Sequence, residues 1–149
     1  MIQETIVITE NAAGEPHVAP MGIHAAGDEF IILPFRPSTT LDNIIETKVA
    51  TINYTDDVRV FAGCLTNHHD WVLEKAQKIS GHTLQNTLAH CEVKLTHIDD
   101  DTVRPKLYCQ AVHRVNHQPF AGFNRAQFSV LEAAILLSRI DRISPAKIN

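Results

Sequence analysis

The chain has only three cysteines, Cys64, Cys91 and Cys109, widely spaced and without a CxxC pair. An odd, scattered set argues against a disulfide framework or a zinc ribbon, and for a reducing cytoplasm. No apolar run approaches the ~20 residues needed to cross a membrane. The start, Met1-Ile2-Gln3-Glu4-Thr5, has neither a basic region nor a long apolar stretch, so no signal peptide is expected. Positive charge is not in excess: the formal net charge is −4, which argues against a nucleic-acid partner. No GxGxxG follows a strand, so a dedicated nicotinamide-binding domain is absent. Internal repeats, low-complexity stretches and linkers are absent too. What is present is ordinary for a globular protein: 149 residues, 44% hydrophobic and 20% charged. That suffices for one domain with a real core, so a single cytoplasmic domain over residues 1–149 is the expectation.

The most informative stretch runs from Leu33 to Ile45. A β-branched run, Phe30-Ile31-Ile32-Leu33, ends at Pro34, and Phe35-Arg36-Pro37-Ser38-Thr39-Thr40 leads into an amphipathic pattern. One turn thus holds a cation, three hydroxyl side chains and the unpaired N–H groups of a helix start. Such a turn suits a phosphate, because the helix start carries partial positive charge and arginine offers a bidentate fork. An ordinary cap by Ser38 or Thr39, with Arg36 solvated, accounts for the same residues.

Along the chain, Thr5 to Thr9 is β-branched and reads as a strand. A turn at 11–15 precedes a second strand, His17 to Ile23, bent by Pro20 and Gly22; proline makes it an edge or a kink. A third strand is expected over Glu29–Phe35, a helix over Thr40–Lys48 with Leu41, Ile44 and Ile45 on its apolar side, and a short strand over 49–53. Residues 58–64 are apolar and ambiguous between helix and strand. Trp71, Val72 and Ala76 suggest a helical piece before Gly81. A hairpin follows: His90–Ile98 puts Cys91, Val93 and Leu95 on one face and His90, Glu92, Lys94 and Thr96 on the other, and Val103–Val115 returns. Cys91 and Cys109 read as small core residues. The C-terminal helix, 126–139, is apolar on two adjacent stripes and is expected to be covered on more than one side, by a sheet and by a second subunit. Residues 144–149 read as a loose tail. Several antiparallel strands with one embedded helix and one terminal helix favour a closed or half-open barrel.

Nine histidines raise the question of a metal. His68-His69-Asp70 is the densest cluster, but adjacent side chains do not face one point. Without HExxH or Cys/His spacing, solvated histidines are the better reading, and no metal site is expected.

Three stretches carry a family resemblance: Ala19-Pro20-Met21-Gly22-Ile23; Pro34 to Thr40 with Asn43-Ile44; and Asn53-Tyr54-Thr55-Asp56-Asp57. Pro119-Phe120-Ala121-Gly122-Phe123-Asn124-Arg125-Ala126 and the helix after it belong with them. In their order and spacing the chain resembles the FMN-binding split-barrel superfamily of flavin reductase-like and pyridoxamine-phosphate-oxidase-like proteins, in a poorly characterised branch. The resemblance implies a mainly β fold, a six-stranded antiparallel split barrel, a homodimer, and one FMN per subunit near the interface. By similarity, Arg36, Ser38, Thr39 and Thr40 would hold the phosphate. Pro20, Met21, Gly22 and Ile23 would line the ring or ribityl chain, with Gly22 allowing close approach. Asn53 and Thr55 would hydrogen-bond the ring edge or ribityl hydroxyls, and Asn124 and Arg125 would close the site from either subunit. The basic C-terminus of true pyridoxamine-phosphate oxidases has no counterpart, which sets that substrate aside.

The expected activity is that of an FMN-dependent oxidoreductase, with NAD(P)H or another small reductant as donor. The flavin would supply the redox chemistry, and no residue is assigned a catalytic role. A non-catalytic FMN-binding protein, serving electron transfer or flavin carriage, fits the same residues.

Overall fold

The computed structural model describes residues 1–140, so the expected tail at 144–149 lies outside the described residues. The elements in order are β1 (Ile2–Glu10), β2 (Pro16–Ala26), β3 (Glu29–Ile32), α1 (Thr39–Thr47), β4 (Val49–Tyr54), α2 (Val58–Leu65), β5 (Leu73–Lys75), β6 (His82–Leu84), β7 (Ala89–Asp99), β8 (Lys106–Asn116) and α3 (Arg125–Ser138). Six of the strands close an antiparallel barrel in the order β1-β2-β3-β8-β7-β4, and β5 pairs with β6 beside it. This is the barrel architecture expected from the sequence.

Alternation along the strands splits the apolar residues into two cores. Val7, Ile23, Phe30, Ile32, Ala50, Ile52, Cys91, Val93, Leu107 and Cys109 fill the barrel, and Leu41 and Ile44 of α1 join them. The opposite faces of β1 and β2, with Ile6, Ile8 and Val18, pack against Val60 and Phe61 of α2, Leu84 of β6 and Ala134 of α3. Thr5 through Glu10 is therefore buried on both faces. Cys91 and Cys109 are core residues, as expected, and burial pushes the Cys109 thiol up to about 12.

The expected third strand is cut short. β3 ends at Ile32, and residues 33–38 form an irregular turn held by Arg36 N–H donating to Val103 O at 2.8 Å. β3 pairs only with Ile23–Ala26 of β2, so residues 16–22 have β1 alone as a strand neighbour. Pro20 thus lies on an edge, where its missing N–H is tolerated.

Three further expectations are corrected. Ile45 of α1 is exposed, while Asn43 is buried and donates from Nδ2 to Thr9 Oγ1 at 3.0 Å. Trp71, Val72 and Ala76 are not helical; the stretch forms the β5–β6 hairpin, which folds over the outside of β4 and β7. That cover buries two residues on the polar side of β7. Glu92 is 0% exposed and His90 3% exposed.

The expected cover of α3 is met on one side within the chain. Only Ala134 is buried, and Phe128, Val130 and Leu137 remain exposed, as do Phe120 and Phe123 before the helix. Within one chain this helix packs on α2 and leaves its other apolar stripe uncovered.

Candidate functional site

The turn at Arg36 is built by the end of β3 and the start of α1. Ser38 is the N-cap: its Oγ accepts from Leu41 N at 3.1 Å. The first-turn N–H groups of Thr39 and Thr40 are left without intrahelical partners, as at any helix start. Arg36 is not simply solvated. Its Nη2 donates to Asp100 Oδ1 at 2.6 Å and its Nε to Asp101 O at 2.9 Å. These contacts hold the guanidinium beside the helix start. Arg36, Pro37, Ser38, Leu41 and Asp42 line an open hollow of about 370 Å3. Thr39 is exposed at its rim, whereas Thr40 is 1% exposed and its buried Oγ1 has no hydrogen-bond partner.

A second hollow, about 200 Å3, lies behind the same turn. Its walls are Pro20, Met21 and Gly22 of β2, Leu33 to Phe35, Phe61 and Leu65 of α2, and Ala134, Ile135, Ser138 and Arg139 at the end of α3. Glu4 and Arg104 supply further charged groups. Burial raises the Glu4 carboxyl above its ordinary value, and the Arg139 charge pulls it part of the way back. The Arg104 guanidinium lies 4.2 Å over the Phe35 ring, and its Nε donates to Leu33 O at 3.0 Å. The space above Gly22 is filled by the chain itself: a Cβ there would meet Ile2 Cγ2 at 3.0 Å, a tight contact, and Glu4 Oε1 at 3.5 Å.

The structure thus brings Pro20, Met21 and Gly22 to one hollow and Arg36 and Ser38 to its neighbour, joined by residues 33–35. It does not bring in Ile23, Asn53, Thr55, Asn124 or Arg125. Ile23 points into the barrel core. Asn53 is 0% exposed and faces the β5–β6 hairpin: Nδ2 donates to Ile6 O and Thr51 Oγ1, and Oδ1 accepts from Leu84 N at 2.9 Å. Thr55 donates to Asn86 O and accepts from Asp57 N. Asn124 caps α3 by accepting from Ala126 N and Gln127 N, and Arg125 is exposed beside it. Glu4, Arg104 and Arg139 had no signal in the sequence, because only the folding back of α3 brings them together.

Residues 3–118 match the family described as Protein of unknown function (DUF447) N-terminal domain. The chain belongs to this DUF447 family. No curated protein matches it. Among solved structures, the FMN-bound protein MM1853 from Methanosarcina mazei, assigned to the same family, is 20% identical, with 99% of this chain and 80% of that one covered and a TM-score of 0.78. The 2-nitrobenzoate 2-nitroreductase NbaA of Pseudomonas fluorescens is 21% identical over 76% of this chain, with a TM-score of 0.67. The DUF447 chain spans only 64% of the length of NbaA. The NADH:FAD oxidoreductase SgcE6 of Streptomyces globisporus C-1027 is 8% identical over 78% of this chain and 76% of its own, with a TM-score of 0.66. The DUF447 barrel is therefore the fold of the flavin reductase-like split barrels. Among the described residues no helix is long and apolar enough to cross a membrane.

Proposed function

We propose that this DUF447 protein is a cytoplasmic FMN-binding flavoprotein that acts as an oxidoreductase of flavin reductase-like type, taking electrons from NAD(P)H or another small reductant. The observation that carries this reading is the adjacency of two unlike hollows. One offers a helix start, a capping hydroxyl and the anchored Arg36; the other offers an apolar shelf at Pro20 to Gly22. A phosphate on the first and a ring on the second is what a flavin mononucleotide requires. The FMN-bound state of MM1853, a family member of the same fold, supports it.

In this reading Arg36, Ser38 and the N–H groups of Thr39 and Thr40 hold the phosphate. Pro20, Met21 and Gly22 support the ring, and Phe35 and Phe61 help exclude water. Ile23, Asn53 and Thr55 serve the fold, and Asn124 and Arg125 reach a flavin only from a neighbouring subunit. Bound FMN would supply the hydride or electron transfer, so the chain itself needs to bind, orient and shield. A hollow of about 200 Å3 is smaller than the ~300–1,000 Å3 typical of ligand pockets. A homodimer whose second subunit completes the enclosure belongs to the proposal for that reason.

The test is titration of purified protein with FMN, followed by flavin absorbance, with the Arg36→Ala variant alongside. The wild type is expected to bind FMN, and the variant to bind about 1.5–3 kcal/mol more weakly, the range for a charged hydrogen bond. The Arg36–Asp100 ion pair is largely exposed, so the variant should lose less than about 1 kcal/mol of folding stability. A wild type that ignores FMN removes the proposal. Bleaching of bound flavin by NADH or NADPH supports the oxidoreductase; FMN bound but inert to reductants leaves flavin carriage.

A further inference from the structure

Away from both hollows, a buried chain of titratable groups ties the β5–β6 hairpin to the segment that enters α3. Glu92 lies under residues 76–79 and is 0% exposed. Its carboxylate accepts from Gln77 N at 2.9 Å, Lys78 N at 2.5 Å and Ile79 N at 3.1 Å. It also binds His90 Nε2 at 2.8 Å. The far nitrogen of the same ring, Nδ1, lies 2.7 Å from His117 Nε2, with the two rings inclined by only 16° and their centroids 4.9 Å apart, the side-by-side arrangement an in-plane N–H···N bond requires. His117 is exposed and begins the segment that leads to α3, and its backbone is pinned as well. His117 N and Gln118 N both donate to Leu88 O, at 2.8 and 3.0 Å.

The hydrogen positions follow from the acceptors. An ionised carboxylate donates nothing, so the proton on the Glu92–His90 bond sits on His90 Nε2. In neutral His90 the other nitrogen, Nδ1, is then an acceptor, and His117 must donate from Nε2. One more proton is compatible with the contact, since either ring can be the charged donor and the other the acceptor. A second proton is not, because two N–H groups would then face each other across 2.7 Å and two cations would lie edge to edge. The surrounding groups do not replace the lost bond. On β8, His113 is engaged through Nε2 with Gln77 Oε1 at 2.7 Å. On β4 the register partner of His90 is the uncharged Asn53, on β8 it is Val115, and on the hairpin Lys78 is exposed.

We propose that Glu92, His90 and His117 form a proton-counting latch: it holds the start of the 117–124 segment to the barrel while the histidine pair carries at most one extra proton, and releases it on the second. The segment entering α3 is thereby coupled to acidity, and α3 walls the hollow beside Pro20 to Gly22. The latch stands independently of whether that hollow holds a flavin.

The experiment is hydrogen exchange of the His117 and Gln118 amides at about pH 7.5 and about pH 5, on either side of the ordinary imidazole range, corrected for intrinsic rates. Protection in the wild type should fall at least about tenfold at the lower pH, the loss expected for one hydrogen bond. The His117→Gln variant can still donate to His90 but cannot charge, and should keep its protection. Unchanged wild-type protection overturns the latch, and so does an equal fall in the variant. If the variant does not fold, nitrogen NMR of the wild-type rings decides: His90 and His117 should both be Nε2–H tautomers at about pH 7.5, and an Nδ1–H His90 overturns the proposal.

Discussion

Gly63 lies in the last turn of α2, and within a helix alanine is ordinarily favoured over glycine by about 0.5–1 kcal/mol. Here the preference inverts. A side chain at 63 would place its Cβ 2.5 Å from Trp71 Cζ2, and an indole ring cannot step aside as a flexible chain end can. Gly63→Ala is expected to destabilise by about 1–2 kcal/mol, read as a lower urea midpoint at unchanged slope. At this scale the sequence was legible where chemistry is local. The Ser38 cap and the cysteine cores needed only neighbours in sequence or strand alternation. It was illegible where a partner arrives from afar: Asn53 offers the same amide to a flavin as to Leu84 N, and only the hairpin crossing over it decides between them. Asp100, likewise, lies 64 residues from the arginine it anchors.

At the scale of elements, the β5–β6 hairpin shows why residues 66–88 misread. Its strands are three residues each, too short for a periodic pattern, and besides Leu84 in the second core they are held to the barrel by side chains of β4 and β7 bonding hairpin backbone: Thr51 Oγ1 donates to His82 O, and Glu92 accepts from Gln77 N. Glu92 is the main fastener. Burial by itself would raise its carboxyl, but the N–H bonds from Gln77, Lys78 and Ile79 and the bond from His90 outweigh it and leave the pKa below the ordinary 4.5. A depressed folded pKa means stability that is complete above the unfolded value and lost as pH falls through the folded one. Glu92→Gln is therefore expected to cost about 2–3 kcal/mol at neutral pH. The wild type is expected to lose stability below about pH 4.5, and the variant should show a flatter loss, measured by urea unfolding across that range. An unaltered acid profile would assign the loss to other carboxylates.

For the whole molecule, the barrel was legible because six strands with alternating patterns have few ways to bury their apolar sides. The placement of α3 was not, because an apolar stripe says that something must cover it and not what does. Val130 and Leu137 lie seven residues apart on one exposed face. If a second copy covers them, as the homodimer proposal holds, Val130→Glu with Leu137→Glu should yield a folded monomer by sedimentation. FMN affinity should fall with it, since the enclosure loses a wall. A double variant that still dimerises moves the interface elsewhere on the barrel.

The early end of β3 has a different consequence for the chain in a crowded solution. It leaves residues 16–22 of β2 as a bare margin of the sheet, the kind of surface onto which a stray strand adds and from which fibres grow. Pro16 and Pro20 both fall in that margin, and neither has a backbone donor to offer a newcomer. The gap that opens the shelf at Pro20 to Gly22 is thus guarded against self-templating by the same prolines that shape it.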